Sequence, residues 1–193
     1  GTRVRLGDAR RHALDFKGAL EDARAALALD PASAYARVLE AESLRSLGRF
    51  DEAVQAASLA VAAAPEWTWA RVVRAKALRF KGELKLAEAD TSAPDHYSLA
   101  WRAEIRRKAG RLQEALAVIT QAVAAQPTIA WFRALRGEIL RGLGLDPDDP
   151  AVMAAWERAT ASLRAPSPPP PPRTGAVKLT AEQKQQVQQR VKQ

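Results

Sequence analysis

Apolar and small residues along this chain recur at the three- and four-residue intervals of amphipathic helices, and two kinds of break interrupt the pattern. The first break is a glycine. Gly48, Gly82, Gly110 and Gly144 each close one apolar-periodic run and precede another, at spacings of 34, 28 and 34 residues. Leu47-Gly48-Arg49-Phe50-Asp51-Glu52-Ala53 reads as helix stop, tight turn and helix start. Lys81-Gly82-Glu83-Leu84 and Ala109-Gly110-Arg111-Leu112-Gln113-Glu114-Ala115 repeat it. Glycine fits because it adopts the left-handed conformation that ends a helix at no steric cost. The second break is a proline: Pro31, Pro65 and Pro127 close later helices, and Pro94 closes one early. A proline lacks the amide a helix needs and restricts the residue before it. Each unit is therefore helix, glycine turn, helix, proline turn.

In this register the chain resembles the tetratricopeptide-repeat (TPR) family. The small residue of the family's first helix falls at Gly7, Ala41, Ala75, Ala103 and Gly137, and the second-helix alanine at Ala19, Ala53, Ala87 and Ala115. A later small partner falls at Ala26, Ala60, Ala122 and Ala159. The resemblance implies an all-α, right-handed helix-turn-helix solenoid, with repeats at 1–33, 34–67, 68–95, 96–129 and 130–164. A proline-rich linker at 165–175 and a short polar tail at 176–193, with a helix N-cap at Thr180, would follow. The departures matter as much. The family tryptophan is Arg3, Arg37, Arg71, Leu99 and Arg133, and the leucine beside the small residue survives only at Leu6, giving way to Glu40, Arg74, Arg102 and Arg136. The third repeat is six residues short, leaving a stunted second helix over Leu84–Asp90. The fifth inserts Leu145-Asp146-Pro147-Asp148-Asp149-Pro150 ahead of a helix carrying Trp156.

Stacked repeats line a concave face with their first helices. The groove positions implied by the resemblance give ordered columns. At the edge stand Tyr35, Trp69, Tyr97 and Trp131, with Gly1 in the first repeat. Next come Val4, Val38, Val72, Ala100 and Ala134, then Arg5, Leu39, Val73, Trp101 and Leu135. A mainly acidic column follows, Asp8, Glu42, Lys76, Glu104 and Glu138, and last an unbroken arginine column, Arg11, Arg45, Arg79, Arg107 and Arg141. One reading is a binding groove, since Tyr, Trp and Arg dominate binding hot spots. The plainer reading packs the aromatics between neighbouring first helices. It leaves the acid–arginine columns, three apart on one helix, as surface pairs worth ~0.2–0.5 kcal/mol each. A third lets the chain fill its own groove, because the apolar half is greasy for a solvated surface.

Composition narrows the chemistry. The 193 residues contain no cysteine, so disulfides, thiolate metal sites and cysteine nucleophiles are excluded, and a reducing compartment fits. His12 and His96 fall in different repeats, which argues against a histidine metal cluster or a triad. The glycines are spaced as turns, not as a phosphate loop. Asp146-x-Asp148-Asp149 resembles half a calcium loop without its later Gly and Glu, and reads as a polar turn. No enzyme activity and no cofactor or metal are expected. The net charge of +8 is uneven, with Arg173, Lys178, Lys184, Arg190 and Lys192 against Glu182 beyond residue 165. No stretch reaches the ~20 apolar residues of a membrane span. The N-terminus lacks an apolar signal core and an initiator Met, which points to a piece of a longer chain. A cytoplasmic location is expected for the sequence as given. The Ala- and Arg-heavy composition suggests a bacterium with a GC-rich genome.

The expected function is a protein–protein interaction scaffold or adaptor, taking a peptide or helix with apolar and acidic features in the concave groove. The alternative is an accessory recruiting domain of a larger enzyme of kinase or glycosyltransferase type, which the proline linker favours. RNA binding through stacking aromatics and arginines is disfavoured by the acidic column, and nucleic acid is not an expected partner. Self-association stays open. Chaperone-tail capture by Lys and Asn is not expected, because those positions carry Val4, Asp8, Leu39, Trp69 and Val73. The tail reads as a linker toward a further domain, as a segment docking on the solenoid or a second copy, or as a ligand for a proline-recognising module.

Overall fold

The computed structural model describes residues 2–161 and residue 163, which form ten α-helices and no strand. They are α1 (Thr2–His12), α2 (Phe16–Leu29), α3 (Ala34–Ser46), α4 (Phe50–Ala63) and α5 (Thr68–Lys81), then α6 (Leu84–Asp90), α7 (His96–Lys108), α8 (Leu112–Ala125), α9 (Ala130–Gly142) and α10 (Pro150–Ala161). The linker and polar tail read from the sequence at 165–175 and 176–193 lie outside the described residues.

The turns are built as the glycines and prolines require. Gly48, Gly82, Gly110 and Gly144 all have φ between 75° and 89°. At each, the following amide reaches back five residues to close the helix, as in Arg49 N to Leu44 O at 2.9 Å and Leu145 N to Leu140 O at 3.0 Å. Side-chain caps start α2, α3 and α7: Asp15 accepts from Gly18 N, Ser33 from Ala36 N, and Asp95 from Tyr97 N and Ser98 N.

Successive odd-numbered helices touch one another from α1 to α9 and form one continuous layer. The even-numbered helices from α2 to α8 pack on the odd ones before and after them and meet each other only through side chains such as Arg24 and Glu52, while α10 packs on α8. This asymmetry curves the stack and puts the odd helices on its inner side. The cores between layers are filled largely by alanine. Ala53, Ala57 and Ala60 of α4 are fully buried beside Val38, Leu44 and Val73, and Ala115, Ile119 and Ala122 of α8 beside Phe132 and Ile139. Small side chains bring the helix axes close. At Gly7 an added Cβ would lie 2.7 Å from Leu39 Cδ2 and 3.1 Å from Asp22 Cβ, so α1, α2 and α3 meet so closely there that any side chain would force Leu39 to shift.

The departures from the family pattern acquire a physical reason. Where apolar residues would join adjoining helices, within a repeat or between repeats, this chain uses charge. Asp22 of α2, itself buried, faces Arg3 and Arg10 of α1 at 3.2 Å each. Glu40 of α3 accepts from Arg24 at 3.3 Å and Arg37 at 3.1 Å. Arg74 of α5 binds Asp90 of α6 through two hydrogen bonds, Nε to Oδ2 at 2.7 Å and Nη2 to Oδ1 at 2.5 Å. In the short repeat α6 has only seven residues, and Arg102 of α7 donates to the Thr91 carbonyl at 2.8 Å and the Ala93 carbonyl at 3.1 Å. A leucine there could not satisfy those carbonyls, which an early helix end leaves without partners.

α10 is the irregular element. It packs on α8 and stands off from α9, with the Arg136 guanidinium 4.8 Å from the centre of the Trp156 ring. Asp146 and Asp149, the acids of the half calcium loop, accept the amides of Asp148 at 3.0 Å and Ala151 at 2.7 Å as turn and helix caps.

Candidate functional site

The odd helices run parallel, so their N-termini align along one edge of the inner face and their C-termini along the other. The N-terminal edge carries an aromatic ladder. Tyr35 of α3 stacks on Trp67, the residue before α5, with centroids 5.6 Å apart and planes 14° from parallel. Trp69 of α5 meets Tyr97 of α7 edge-on at 5.6 Å, and Trp101 of α7 meets Trp131 of α9 at 5.0 Å. Phe132, fully buried, backs both Tyr97 and Trp131 at 5.8 and 5.4 Å. Ring pairs of this kind contribute about 0.5–1.5 kcal/mol beyond the area they bury. The ladder therefore ties neighbouring repeats together, yet Tyr35, Tyr97 and Trp131 remain 52%, 40% and 36% exposed. A cleft of about 190 Å³ opens beneath Tyr35, Trp67 and Trp69, with Leu39 in its wall and Asp8, Arg11 and Glu42 at its polar end.

The opposite edge is ionic. Arg11, Arg45 and Arg107 pair with Asp8, Glu42 and Glu104 one turn back at 2.9, 3.0 and 2.7 Å. The arginines sit in the last turns of their helices, where the helix dipole also favours a cation. Other pairs cross between repeats: Lys76 to Glu42, Arg79 to Glu104 at 3.2 Å, and Arg107 to Glu138 at 3.4 Å. Arg141 makes no ion pair among the described residues, and its guanidinium lies back along α9 beside Gly137. Phe80, stacked on Phe50 at 5.4 Å, carries the Arg79 guanidinium at 4.1 Å and that of Arg45 at 5.5 Å.

Lys76 joins the two edges. The only basic residue of the otherwise acidic column, it is buried, bonded to Glu42, and has the rings of Trp69 and Trp101 each 5.3 Å from its ammonium. Burial pushes the Lys76 ammonium down, and Glu42 offsets only part of that. Burial pushes the Glu42 carboxyl up, but the neighbouring Lys76 and Arg45 overcome it and hold the group below the ordinary carboxylate value. Burial also pulls the Arg79 guanidinium down from its ordinary value.

The sequence-derived set thus divides. Tyr35, Trp69, Tyr97, Trp101 and Trp131 form the ladder, and Arg11, Arg45, Arg79 and Arg107 form the ion-pair row, with Arg141 at its end. Leu39, Val73 and Leu135 are only 3%, 1% and 3% exposed, because adjacent odd helices close over that column. They belong to the cores and support the groove from below. Trp67, Phe80 and Phe50 escaped the sequence reading. Trp67 lies before the helix whose offsets define the columns, while Phe50 and Phe80 fall outside those offsets. The signal available for Trp67 was an aromatic two residues before Trp69.

Among the described residues no cluster of His, Asp and Glu could hold a metal ion, and no helix is long and apolar enough to cross a membrane. No family profile matches the sequence, and no curated protein does. Solved structures do match the fold. A thermophilic TPR protein of Thermus thermophilus superposes with a TM-score of 0.66 at 19% identity, covering 83% of this chain and 98% of its own. MamA of Desulfovibrio magneticus RS-1, residues 41 to the end, gives 0.59 at 16%, covering 84% and 96%. YrrB, described as a TPR protein with an unusual peptide-binding site, gives 0.53 at 16%, covering 84% of each chain.

Proposed function

The chain has the fold of the tetratricopeptide-repeat solenoids, and on that premise we propose that it is a protein-interaction scaffold whose inner face takes a peptide or helix of a partner. The observation that carries this reading is the aromatic ladder. Its rings are fixed by one another and by Phe132, yet Tyr35, Tyr97 and Trp131 stay open to solvent, and a preformed cleft lies beneath Tyr35. Fixed, half-exposed Tyr and Trp make hot spots because little side-chain freedom is lost when a partner covers them. The peptide-binding site in the name of YrrB is consistent with this use of the fold.

The ionic edge plays a narrower part. Most of its arginines are already paired within the chain, so a partner's carboxylates meet chiefly Arg141 and the outer faces of Arg11 and Arg107. Charge here steers and orients a ligand, and the aromatic edge supplies most of the affinity.

The test is a displayed peptide library selected on the wild-type chain, followed by titration of the selected peptides against folded variants. Tyr35→Ala/Trp131→Ala should weaken binding thirtyfold or more, the effect of removing about 2 kcal/mol of hot-spot contact. Arg141→Ala should lower affinity only a few-fold, more at low salt than at high. Circular dichroism confirms that each variant keeps its helices. Selected peptides that bind all variants equally would place recognition away from the inner face and end this reading.

A further inference from the structure

The open rings of the inner face recur at a period. The ladder has one rung at each junction between consecutive odd helices from α3 to α9: Tyr35 with Trp67, Trp69 with Tyr97, and Trp101 with Trp131. One ring of each rung stays open, Tyr35, Tyr97 and Trp131. Packed helices lie about 8–10 Å apart, so the rungs follow one another at about that interval. Tyr35 is also a ridge between two hollows. On one side lies the cleft of about 190 Å³ beneath Trp67 and Trp69. On the other, a cleft of about 230 Å³ opens between α1 and α3, walled by Val4, Arg5, Asp8 and Ser33.

The period selects among backbone conformations. A polyproline II chain has three residues per turn and returns to the same face after about 9.3 Å, in step with the rungs. A β-strand returns after two residues, about 6.8 Å, and is out of step by the second rung. An α-helix returns only after seven residues, about 10.5 Å, and overshoots. Charge selects next. Each odd helix except α5 sets one acid against one arginine in the ionic columns, whereas α5 sets Lys76 and Arg79 there, so positive charge is in surplus. Arg5, exposed in the wall of the second cleft, adds to it and makes no ion pair among the described residues.

We infer that the partner segment is proline-rich and acidic and binds as a polyproline II helix, with prolines on the rungs at every third residue and carboxylates turned toward the ionic edge. This rests on the inner-face reading above and narrows it to one conformation and one sign of charge. Proline suits walls of Tyr, Trp, Val and Leu because its ring is apolar and it has no amide hydrogen to leave unpaired there. Its chain is extended before it binds, and the rungs are already fixed, so little freedom is lost on either side. The proline run of this chain carries Arg173 and no acid, which is the wrong charge for this face.

The test titrates the full-length chain, read by tryptophan fluorescence, with three peptides of equal length. One repeats Pro-Glu-Pro, one repeats Pro-Arg-Pro, and one is a helix-forming sequence of Glu, Ala and Leu with the same number of glutamates. The Pro-Glu-Pro peptide should bind at least tenfold more tightly than either of the others. It should lose at least tenfold in affinity in folded Tyr35→Ala/Trp131→Ala, and several-fold in Arg5→Ala at low salt. Equal or tighter binding of Pro-Arg-Pro would overturn the inferred charge, and equal or tighter binding of the helical peptide the inferred conformation. Either result leaves the inner-face reading standing as long as the ring variant weakens the peptide that binds. No binding by Pro-Glu-Pro, or binding that ignores the ring variant, overturns the proposal outright. Only library-selected peptides that also ignore the ring variant would end the inner-face reading itself. Fluorescence that changes with protein concentration alone would assign the face to a second copy, which overturns the proposal as well.

Discussion

Leu14 stands in the first within-repeat turn at the point where every later within-repeat turn has glycine. Its φ is 64°, in the left-handed region where Gly48, Gly82, Gly110 and Gly144 also lie. A leucine there crowds its Cβ against the backbone at a cost of about 1–2 kcal/mol, and a side chain 74% exposed recovers little by packing. Leu14→Gly should relieve that strain. Glycine's extra freedom in the unfolded chain returns part of the gain, so the net stabilisation is about 0.5–1 kcal/mol by denaturant titration. A loss of stability in Leu14→Gly would show that the leucine is held by contacts stronger than its exposure suggests. The same turn illustrates how residue types speak in the sequence. Glycines spaced 34, 28 and 34 residues apart announce four turns because a positive φ selects for them, whereas Leu14 is invisible to any rule that looks for glycine.

Element by element, what glycine and proline mark was legible, and what depends on a neighbouring helix was not. The short α6 follows from six missing residues between Gly82 and Gly110. The burial of Leu39, Val73 and Leu135 does not follow from periodicity, since one helical stripe looks alike whether solvent or the next odd helix covers it. The ladder likewise needed three dimensions: Tyr35 meets Trp67 from opposite ends of one repeat, a pairing that no within-helix spacing reports. Arg102 is the clearest case of an element explaining a residue. Because α6 stops after seven residues, the Thr91 and Ala93 carbonyls need donors, and the guanidinium of α7 supplies them. Arg102→Leu, although it restores the family's apolar residue, should therefore destabilise the protein by about 1.5–3 kcal/mol, the worth of charged hydrogen bonds lost from a partly buried site. An unchanged or raised melting temperature would mean that apolar packing, not capping, is what this position needs.

Across the whole molecule the inner-face ion pairs work as ties between repeats, and the one between Glu42 and Lys76 is the most buried. Glu42→Leu leaves the buried Lys76 ammonium without its carboxylate and should cost about 3–5 kcal/mol, whereas Lys76→Leu leaves Glu42 paired with Arg45 and should cost less. The double variant should recover most of that loss, since two apolar groups of similar volume need no compensation. Additive losses would contradict the pairing. The pH dependence has a defined sign. The folded-state value of Glu42 is held below its unfolded one, so its contribution is fully present above the ordinary carboxylate range and is lost as pH falls through the depressed value. The acid limb of the stability curve should therefore be shallower in the double variant than in the wild type.

The continuous odd-helix layer and the interrupted even-helix layer also set how the molecule bends. In a beam, the material that keeps its length during flexure marks the neutral axis. Here that axis runs close to the odd helices, because stretching them apart would break the ring stacks and cross-repeat ion pairs that join α3, α5, α7 and α9. Before α8 and α10 the even helices meet only through side chains, such as Arg24 with Glu52 at 4.0 Å and Arg111 with Glu88, so they fan apart or draw together with little between them to break. Curvature is thus the soft coordinate and length along the inner face the stiff one. A partner of fixed repeat length would find its aromatic contacts at constant spacing on a surface whose radius adjusts to it.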